Sequence, residues 1–325
     1  MLDSRIPIVD LSVLYEPGVS RRDRAQVADA LGRACGEIGF AYLRGASLSE
    51  ASLRRVRSEA ARFFDLPEAQ KAQLATRAHN AESANRYRGY FPVTAGDASR
   101  KEGFEIGVGE PAAKARDLFF AEQNPWPRSE ALAGFREALE AYGAALERLG
   151  RDVLGLFADY LGAGRAEFAQ AYSGSVSTLR LIRYPDGSGQ PAEDDGARVS
   201  TPSHTDSGVV TLLNQDETGG LQVHCRDGRW IDAAPIPGTL LLNVGDLLEL
   251  WTGGRFRATR HRVLAPQGQR ISVPFFFEPA PRAEIRPLWS GRGPPAEPVV
   301  YADYVLDKMK GFVEYRELTA DPGWS

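Results

Sequence analysis

The chain contains four histidines, and two of them occur in a pattern that could bind a metal ion. His204 and Asp206 are separated by one residue, and in an extended strand such residues project from the same face. His261 comes much later, so another strand must bring it to the same place. Two imidazoles and one carboxylate on one face of a metal leave the opposite positions free for oxygen and a co-substrate. The pattern predicts an open metal centre, although such a combination also arises by chance.

A second pair of polar residues follows the last of these histidines closely. Arg270 comes nine residues after His261, and Ser272 shares its face under the same alternation. Turn-forming residues at 266–268 lie between them, which allows His261 and Arg270 to occupy neighbouring strands. A guanidinium fork with an adjacent hydroxyl suits a buried carboxylate. The pair therefore predicts a carboxylate site near the metal, with a structural ion pair between Arg270 and an Asp or Glu as the alternative.

The second half of the chain must supply the strands that carry these residues. Short apolar runs alternate there with Gly, Pro, Asn and Asp, a pattern typical of an antiparallel sandwich or jelly roll. The predicted strands are Leu179–Tyr184, Val209–Leu213, Leu221–Val223, Thr239–Val244, Arg262–Leu264 and Ile271–Phe277. The segment Pro185–Pro202 is predicted to be a surface loop. Alternation along the last strand implies that only some of its three consecutive phenylalanines face the site.

The first half mixes helices and strands. Its predicted elements are a strand at Ile6–Val9, a helix with the apolar face Val27–Ile38, a strand at Phe40–Leu43, a helix opened by a capping box of Ser47 and Glu50, and a long helix over Leu132–Leu156. The long apolar stripe could form a coiled-coil seam, but its glycines favour a spacer helix packed on a sheet. A last helix is predicted over Tyr301–Phe312. We therefore divide the chain at 1–125, 126–177, 178–282 and 283–325.

Composition excludes several classes of function. The chain has 325 residues, of which 43% are hydrophobic and 25% charged, and its formal net charge is −4. These values are ordinary for a globular protein and argue against broad binding to nucleic acid or to an anionic membrane. No apolar stretch is long enough for a membrane helix, and charges interrupt the N-terminus where a signal peptide would be apolar. Cys35 and Cys225 form no CxxC pair, which favours reduced thiols and a cytoplasmic protein, with one long-range disulfide as the alternative. We infer no obligate protein partner.

Taken together, the motifs resemble the isopenicillin N synthase-like family of Fe(II)/2-oxoglutarate-dependent oxygenases. The resemblance covers almost the whole chain and is carried by Arg88-Gly89-Tyr90, Lys101–Gly107, Asn124–Pro127, Leu179–Pro185, His204–Asp216, Gly219–Val223, Pro237–Trp251 and Arg270–Phe277. It implies an α+β fold, with a double-stranded β-helix (jelly roll) core, flanking helices and an N-terminal α/β region. It also implies that Fe(II), 2-oxoglutarate and O2 are used to oxidise a small-molecule substrate, with release of succinate and CO2.

The resemblance assigns roles to particular residues. His204, Asp206 and His261 correspond to the iron ligands of the family. Arg270 and Ser272 correspond to the pair that binds the distal carboxylate of 2-oxoglutarate. Tyr184 corresponds to a tyrosine that assists there, with a core tyrosine as the alternative. Asn243, in the family motif Asn-Val-Gly-Asp, is interpreted as a turn stabiliser.

Other activities stay open at this point. A 2-oxoglutarate-independent Fe(II) oxidase of the isopenicillin N synthase type would share the motifs, but the chain lacks that enzyme's glutamine ligand near the C-terminus. A non-catalytic metal-binding jelly roll is disfavoured because structural metals usually have closed coordination shells. A zinc hydrolase gives no reason for Arg270 and Ser272. Within the favoured class, hydroxylation, desaturation and cyclisation begin with the same hydrogen abstraction. The loops Tyr87–Val93, Glu102–Gly109 and Pro185–Pro202 are candidates for substrate contacts.

Overall fold

The computed structural model describes residues 6–94, 99–109, 122–187, 196–288 and 297–310. The helices in these ranges are α1 (Arg21–Glu37), α2 (Glu50–Phe64), α3 (Glu68–Ala72), α4 (Phe135–Leu161), α5 (Arg165–Ala171), α6 (Asp246–Trp251) and α7 (Tyr301–Met309). The strands are β1 (Ile8–Asp10), β2 (Phe40–Arg44), β3 (Gly89–Phe91), β4 (Glu102–Gly107), β5 (Thr178–Tyr184), β6 (Val199–His204), β7 (Val210–Gln215), β8 (Leu221–His224), β9 (Trp230–Asp232), β10 (Thr239–Val244), β11 (His261–Leu264), β12 (Arg270–Phe277), β13 (Glu284–Ile285) and β14 (Val299–Val300).

Two sheets face each other and form the centre of the fold. The larger sheet has eight strands in the order β1-β2-β10-β7-β12-β5-β4-β3, and the smaller has four in the order β6-β11-β8-β9. A buried apolar cluster joins them, with Ile182 and Leu213 from the larger sheet and Leu221, Val223 and Val263 from the smaller. The predicted α+β fold with a jelly-roll core and flanking helices is confirmed. All six strands predicted in the second half are present.

Strands from the first third of the chain complete the larger sheet. β1 and β2 extend it beyond β10, while β3 and β4 extend it beyond β5. The pairing of β1 with β2 is parallel, whereas β2 with β10 and β4 with β5 are antiparallel. The N-terminal region is therefore continuous with the core through backbone hydrogen bonds. The segment boundaries drawn from the sequence remain a prediction.

The long helix α4 supports the strand that carries Arg270. The predicted stripe is buried from Phe135 to Leu156, but Leu132 lies in a short 3₁₀ turn before the helix, and the helix continues to Leu161. A Cβ at Gly150 would lie 2.7 Å from the ring of Phe277, and one at Gly143 would lie 2.8 Å from Val108. Glycine at these positions lets the helix backbone approach the sheet closely. The glycines that disfavoured a coiled coil thus mark close contact with the sheet.

Two local predictions were wrong, each for a physical reason. The N-cap of α2 is Ser49, whose hydroxyl accepts from the N–H of Ser52 at 3.1 Å, and not Ser47, which adopts φ +40°. The predicted loop over 185–202 contains the start of β6, because Val199 pairs with Leu264 of β11 and is buried. Residues 188–195 of that loop lie outside the described part of the chain.

The last predicted helix is present but is described only in part. It ends at Met309, and positions 311 and 312 of the predicted helix fall outside the described residues. One face of α7 is buried through Tyr301, Ala302 and Met309. No helix within the described ranges is long and apolar enough to cross a membrane.

Candidate active site

A cavity of about 410 Å³ lies between the two sheets. Strands β5, β7 and β12 form one wall, strands β6, β8 and β11 form the opposite wall, and α7 covers part of the opening. A volume of this size, enclosed by a few polar groups among apolar side chains, is typical of small-molecule sites. All six residues that the sequence assigned to metal or co-substrate binding line it, namely His204, Asp206, His261, Arg270, Ser272 and Tyr184.

The three predicted metal ligands converge within this cavity. His204 ends β6 and is the direct cross-strand partner of His261 at the start of β11. Asp206 lies just past the end of β6, so it does not continue the strand as the i, i+2 argument assumed. Its Oδ1 nevertheless lies 3.7 Å from Nε2 of His204 and 3.6 Å from Nε2 of His261. One ligand atom from each residue falls within 4.8 Å of the others, the spacing that a single metal ion requires.

Backbone carbonyls fix the orientation and the tautomer of the two imidazoles. Nδ1 of His204 lies 2.8 Å from the carbonyl oxygen of Pro202, and Nδ1 of His261 lies 3.1 Å from that of Thr259. A carbonyl only accepts, so each Nδ1 carries the proton and donates it. Each Nε2 is then left with a lone pair directed at Asp206. Such carbonyl contacts are the usual way in which proteins orient metal-binding histidines.

The carboxylate of Asp206 is oriented by two side chains on neighbouring strands. Its Oδ2 accepts from Oγ1 of Thr211 at 2.5 Å and from Nδ2 of Asn243 at 2.8 Å. These bonds leave Oδ1 directed at the imidazoles. Asn243, interpreted from the sequence as a turn stabiliser, thus has a second contact, because its amide reaches Asp206. No local pattern indicates this contact, since it depends on how β10 and β7 pair with each other.

The protonation states at the triad favour cation binding. Burial and the charge of His261 lower the pKa of His204 to about 4, which keeps its imidazole neutral at pH 7. Burial alone would raise the pKa of Asp206. The charges on His261 and His204 and the bonds from Thr211 and Asn243 outweigh burial, so the pKa lies below its ordinary value. A neutral imidazole and an ionised carboxylate are the forms that coordinate a metal.

The end of the cavity formed by the start of β12 is basic. Arg270 is 1% exposed, its Nε donates to the carbonyl of Gly219 at 2.7 Å, and its Nη2 lies 3.5 Å from Oε1 of Gln215. Nη1 is buried and has no hydrogen-bond acceptor among the described residues. The guanidinium carbon lies 5.0 Å from the centroid of the Tyr184 ring on the paired strand. A buried guanidinium with an unpaired donor fits a carboxylate ligand.

Alternation along β12 determines which residues reach the cavity. Arg270, Ser272, Pro274 and Phe276 line it, and Glu278 continues the same face just past the strand. Phe275 and Phe277 point the other way into the main apolar core. The expectation that only some of the three phenylalanines face the site is confirmed, because the middle ring alone does so.

The opposite end of the cavity was missed by the sequence reasoning. It is lined by Glu278, Tyr301, Arg180 and Tyr87, together with Lys308 of α7. Period two along β12, continued from Arg270 by eight residues, would have placed Glu278 on the cavity face. No comparable local signal identifies the others, because they come from separate elements. His224 packs against Trp230 and is not part of the triad.

Family models match two regions of the chain. The model described as the 2OG-Fe(II) oxygenase superfamily matches residues 176–279, which include both sheets' contributions to the cavity. The model described as the non-haem dioxygenase in morphine synthesis N-terminal matches residues 6–129. Together they span the region in which the sequence motifs were found.

Individual proteins resemble the chain along nearly all of its length. A homoarginine-6-hydroxylase of Oryza sativa subsp. japonica is 32% identical, with 94% of this chain and 96% of that protein covered. The crystal structure of a full-length Neurospora crassa protein in complex with alpha-KG and thymine superposes with a TM-score of 0.78 at 26% identity, covering 93% of this chain and 96% of that one. The structure of a 2OG-Fe(II) oxygenase family protein of Caulobacter crescentus superposes with a TM-score of 0.77 at 28% identity. It covers 94% of this chain and 98% of that one.

Proposed function

The chain belongs to the Fe(II)/2-oxoglutarate-dependent oxygenases, and on this premise we propose that His204, Asp206 and His261 are its iron ligands. It is an oxidoreductase of the dioxygenase type that uses Fe(II), 2-oxoglutarate and O2 to oxidise a small molecule. The observation that carries the ligand assignment is the convergence of two Nε2 atoms and one Oδ1 in a buried cavity. Iron bound there supplies the activation of oxygen and the oxidising power that removes hydrogen from a substrate carbon.

The protein's own residues hold the ligands in place. Thr211 and Asn243 fix the carboxylate of Asp206, while the carbonyls of Pro202 and Thr259 fix the imidazoles. These contacts set the orientation before the metal arrives, so little rearrangement is needed on binding. Apolar side chains on both sheets exclude bulk water from the centre, which protects a reactive site from side reactions. They include Ile182, Leu213, Leu221 and Val263.

We assign the co-substrate to the basic end of the cavity. The unpaired Nη1 of Arg270 and the hydroxyl of Ser272, which is 3% exposed, would bind the distal carboxylate of 2-oxoglutarate. Tyr184 lies across the strand pair from Arg270 and accepts from Oγ1 of Thr201 at 3.4 Å, so its own O–H remains able to donate. These three residues lie on adjacent strands, which makes the co-substrate site rigid.

The reaction that we propose is hydroxylation of a carbon–hydrogen bond. Several relatives are named hydroxylases or dioxygenases of small molecules, among them homoarginine-6-hydroxylase and a validamycin A dioxygenase of Streptomyces hygroscopicus subsp. limoneus. Their names favour 2-oxoglutarate-dependent oxidation over the 2-oxoglutarate-independent oxidase that the motifs also allowed. Desaturation and cyclisation remain outcomes that product analysis would distinguish.

A titration under argon tests the assignment. Fe(II)-loaded protein should develop a visible charge-transfer band as 2-oxoglutarate is added, and it should release succinate when oxygen is admitted. His261→Ala should lose iron binding and the band. His224→Ala, which removes a histidine outside the triad, should retain both. Iron binding by His261→Ala equal to that of the wild type would overturn the ligand assignment.

We also propose a cytoplasmic location, with a small-molecule substrate as the partner. Cys35 is buried and Cys225 is half-buried, and both are free thiols. Unpaired thiols are typical of a reducing compartment. Fractionation of the native host, with the redox state of both thiols measured by alkylation, tests this location.

A further inference from the structure

Glu278 lies beside the loop that carries Asp206. It follows Phe276 on the cavity face of β12 and is 8% exposed. A Cβ on Gly208 would clash with its Oε1, so the carboxyl rests directly on the backbone that follows Asp206. The register of the sheet agrees, because Thr211, which donates to Asp206, is paired with Phe276. The Glu278 end of the cavity is therefore the end nearest the carboxylate of the triad.

Half of the hydrogen-bonding capacity of this carboxyl is unused. The hydroxyl of Tyr301 and the backbone N–H of Val209 bond to it. Oε2 is buried and has no hydrogen-bond partner among the described residues. A buried polar atom without a partner costs free energy, and such atoms are rare outside sites that receive a ligand. The glutamate lines a cavity, so a ligand can reach it.

An ionised Glu278 would also have no basic partner among the residues that the structure describes. Other buried acids have basic partners: Glu102 lies 2.8 Å from Nζ of Lys71, and Glu105 lies 2.9 Å from Nη2 of Arg180. Within the described part of the chain, no basic side chain forms an ion pair with Glu278. The nearby cations are already paired, since Arg180 bonds Glu105 and Nζ of Lys308 lies 3.0 Å from Asp246.

We propose that Glu278 binds a cationic nitrogen of the substrate, an ammonium or a guanidinium group. The proposal rests on the function assigned above, since it takes this cavity as the substrate site. Such a group would donate to Oε2 and hold the carboxyl in its ionised form. Phe276, Val305 and Met309 line the same part of the cavity and would contact an aliphatic stem. The substrate class is therefore an aliphatic amine or guanidine, anchored by its charge with a neighbouring carbon near the triad.

Direct binding of three probes with similar aliphatic chains and different head groups tests this proposal. Pentylammonium, pentanol and pentanoate are titrated by calorimetry into protein loaded with Fe(II) and saturated with 2-oxoglutarate under argon. The wild type should bind pentylammonium at least tenfold more tightly than the other two. Glu278→Gln should weaken pentylammonium binding by roughly 10- to 100-fold, the range for a charged hydrogen bond, and bring it level with pentanol.

The control is Glu59→Gln, which neutralises another buried acid far from the cavity lining. It should leave all three dissociation constants unchanged. Preference of the wild type for pentanol or pentanoate, or its failure to bind pentylammonium, would overturn the proposal even if Glu278→Gln failed to fold. Equal binding of pentylammonium by Glu278→Gln and the wild type would reduce Glu278 to an anchor for Tyr301.

The experiment separates this proposal from the function on which it rests. If the wild type shows no charge-transfer band with 2-oxoglutarate, the assignment of the co-substrate site fails. If the band forms but the cationic probe is not preferred, only the role of Glu278 fails. The band is recorded in the same samples before each calorimetric titration.

Discussion

The two ends of strand β12 bring opposite charges into one cavity. Arg270 opens the strand and Glu278 follows it, and they are 1% and 8% exposed. Each keeps one buried polar atom without a partner among the described residues, Nη1 of Arg270 and Oε2 of Glu278. At about 3.3 Å per residue, the two backbone positions are roughly 26 Å apart. Their side chains can therefore serve two different ligands.

The two ends differ in what holds them. Arg270 is fixed by the loop before β8 and by the ring of Tyr184 on β5, so it belongs to the rigid sheet. Glu278 is held partly by Tyr301, the first residue of α7. The proposed co-substrate site is therefore built on strands. The proposed substrate site is shared with α7, a helix that lines the cavity.

Removing the basic group should have the largest effect. On the proposed assignment, Arg270→Ala would delete up to two charge-assisted hydrogen bonds to 2-oxoglutarate, each worth about 1.5–3 kcal/mol. The affinity for 2-oxoglutarate should fall by roughly 10²- to 10⁴-fold, while iron binding is retained. The charge-transfer band measures the first quantity and metal analysis the second.

Two variants control this prediction. Arg286→Ala removes an exposed arginine that is paired with Glu284, and it should leave 2-oxoglutarate binding unchanged. Arg270→Lys should recover part of the affinity, because it restores the charge without the fork. Succinate release by Arg270→Ala at the wild-type rate would show that Arg270 does not bind 2-oxoglutarate.

The acidic end should show itself in the pH dependence of stability. Burial is the main reason why the pKa of Glu278 is raised from 4.5 to about 8, and the charge of Asp206 adds to it. The other titratable groups that face it are Tyr172, Tyr301 and Tyr304. Below pH 4.5 the carboxyl is protonated in both the folded and unfolded states. Between pH 4.5 and 8 only the folded state holds the proton, so stability falls as the pH rises and levels off above 8.

Glu278→Gln should remove that slope. In metal-free protein, the free energy of unfolding of Glu278→Gln minus that of the wild type should increase by up to about 1.4 kcal/mol per pH unit across this window. The total is about 5 kcal/mol. Urea unfolding at several pH values measures the difference, with Glu59→Gln as the control. Parallel curves for Glu278→Gln and the wild type would place Glu278 in an ordinary polar environment and remove the contrast with Arg270.

Much of this site could be predicted because strand geometry is local. The alternation of side chains places Arg270 with Ser272 on one face, and it would have placed Glu278 there as well had it been followed to the end of the strand. The same rule also predicted that Asp206 lies in the cavity, which is correct. It assumed that the strand continues to Asp206, whereas the strand ends at His204. The spacing of apolar residues was likewise enough to predict the six core strands and α4.

The remaining features depend on contacts that no local pattern encodes. Asn243 and Thr211 reach Asp206 because β10 pairs with β7, and this register is set by the whole sheet. The start of β6 was missed because its buried residues follow a long polar segment and pair with β11, a strand distant in sequence. The cap residue of α2 was predicted two positions too early, at Ser47, because several nearby residues can cap a helix and only the backbone conformation selects Ser49.

A smaller effect is expected from the residues that orient the carboxylate of Asp206. Thr211→Val keeps the shape of the side chain and removes the hydroxyl that donates to Oδ2. Iron affinity should fall by about tenfold, the lower end of the range for groups that support a metal ligand, because Asn243 still donates to the same oxygen. Competition with a chelator measures the affinity. Thr239→Val, whose hydroxyl bonds only to the carbonyl of Ile236 at 2.8 Å, is the matched control. A wild-type affinity in Thr211→Val would assign the orientation of Asp206 to Asn243 alone.

The smallest expected effect distinguishes Lys308 from the substrate as the counterion of Glu278. Lys308 lines the same end of the cavity, but its Nζ lies 3.0 Å from Oδ2 of Asp246, and its side chain is 42% exposed. Lys308→Met keeps the aliphatic stem and should change the free energy of unfolding by less than about 1 kcal/mol, as for other exposed ion pairs. The pH slope that Glu278 produces should persist in this variant, and pentylammonium should bind as well as before. Loss of the slope in urea unfolding would instead show that Lys308 neutralises Glu278 from within the chain. Glu278 would then have its counterion within the chain, whereas Arg270 keeps a donor for a ligand, unpaired within the described part of the chain.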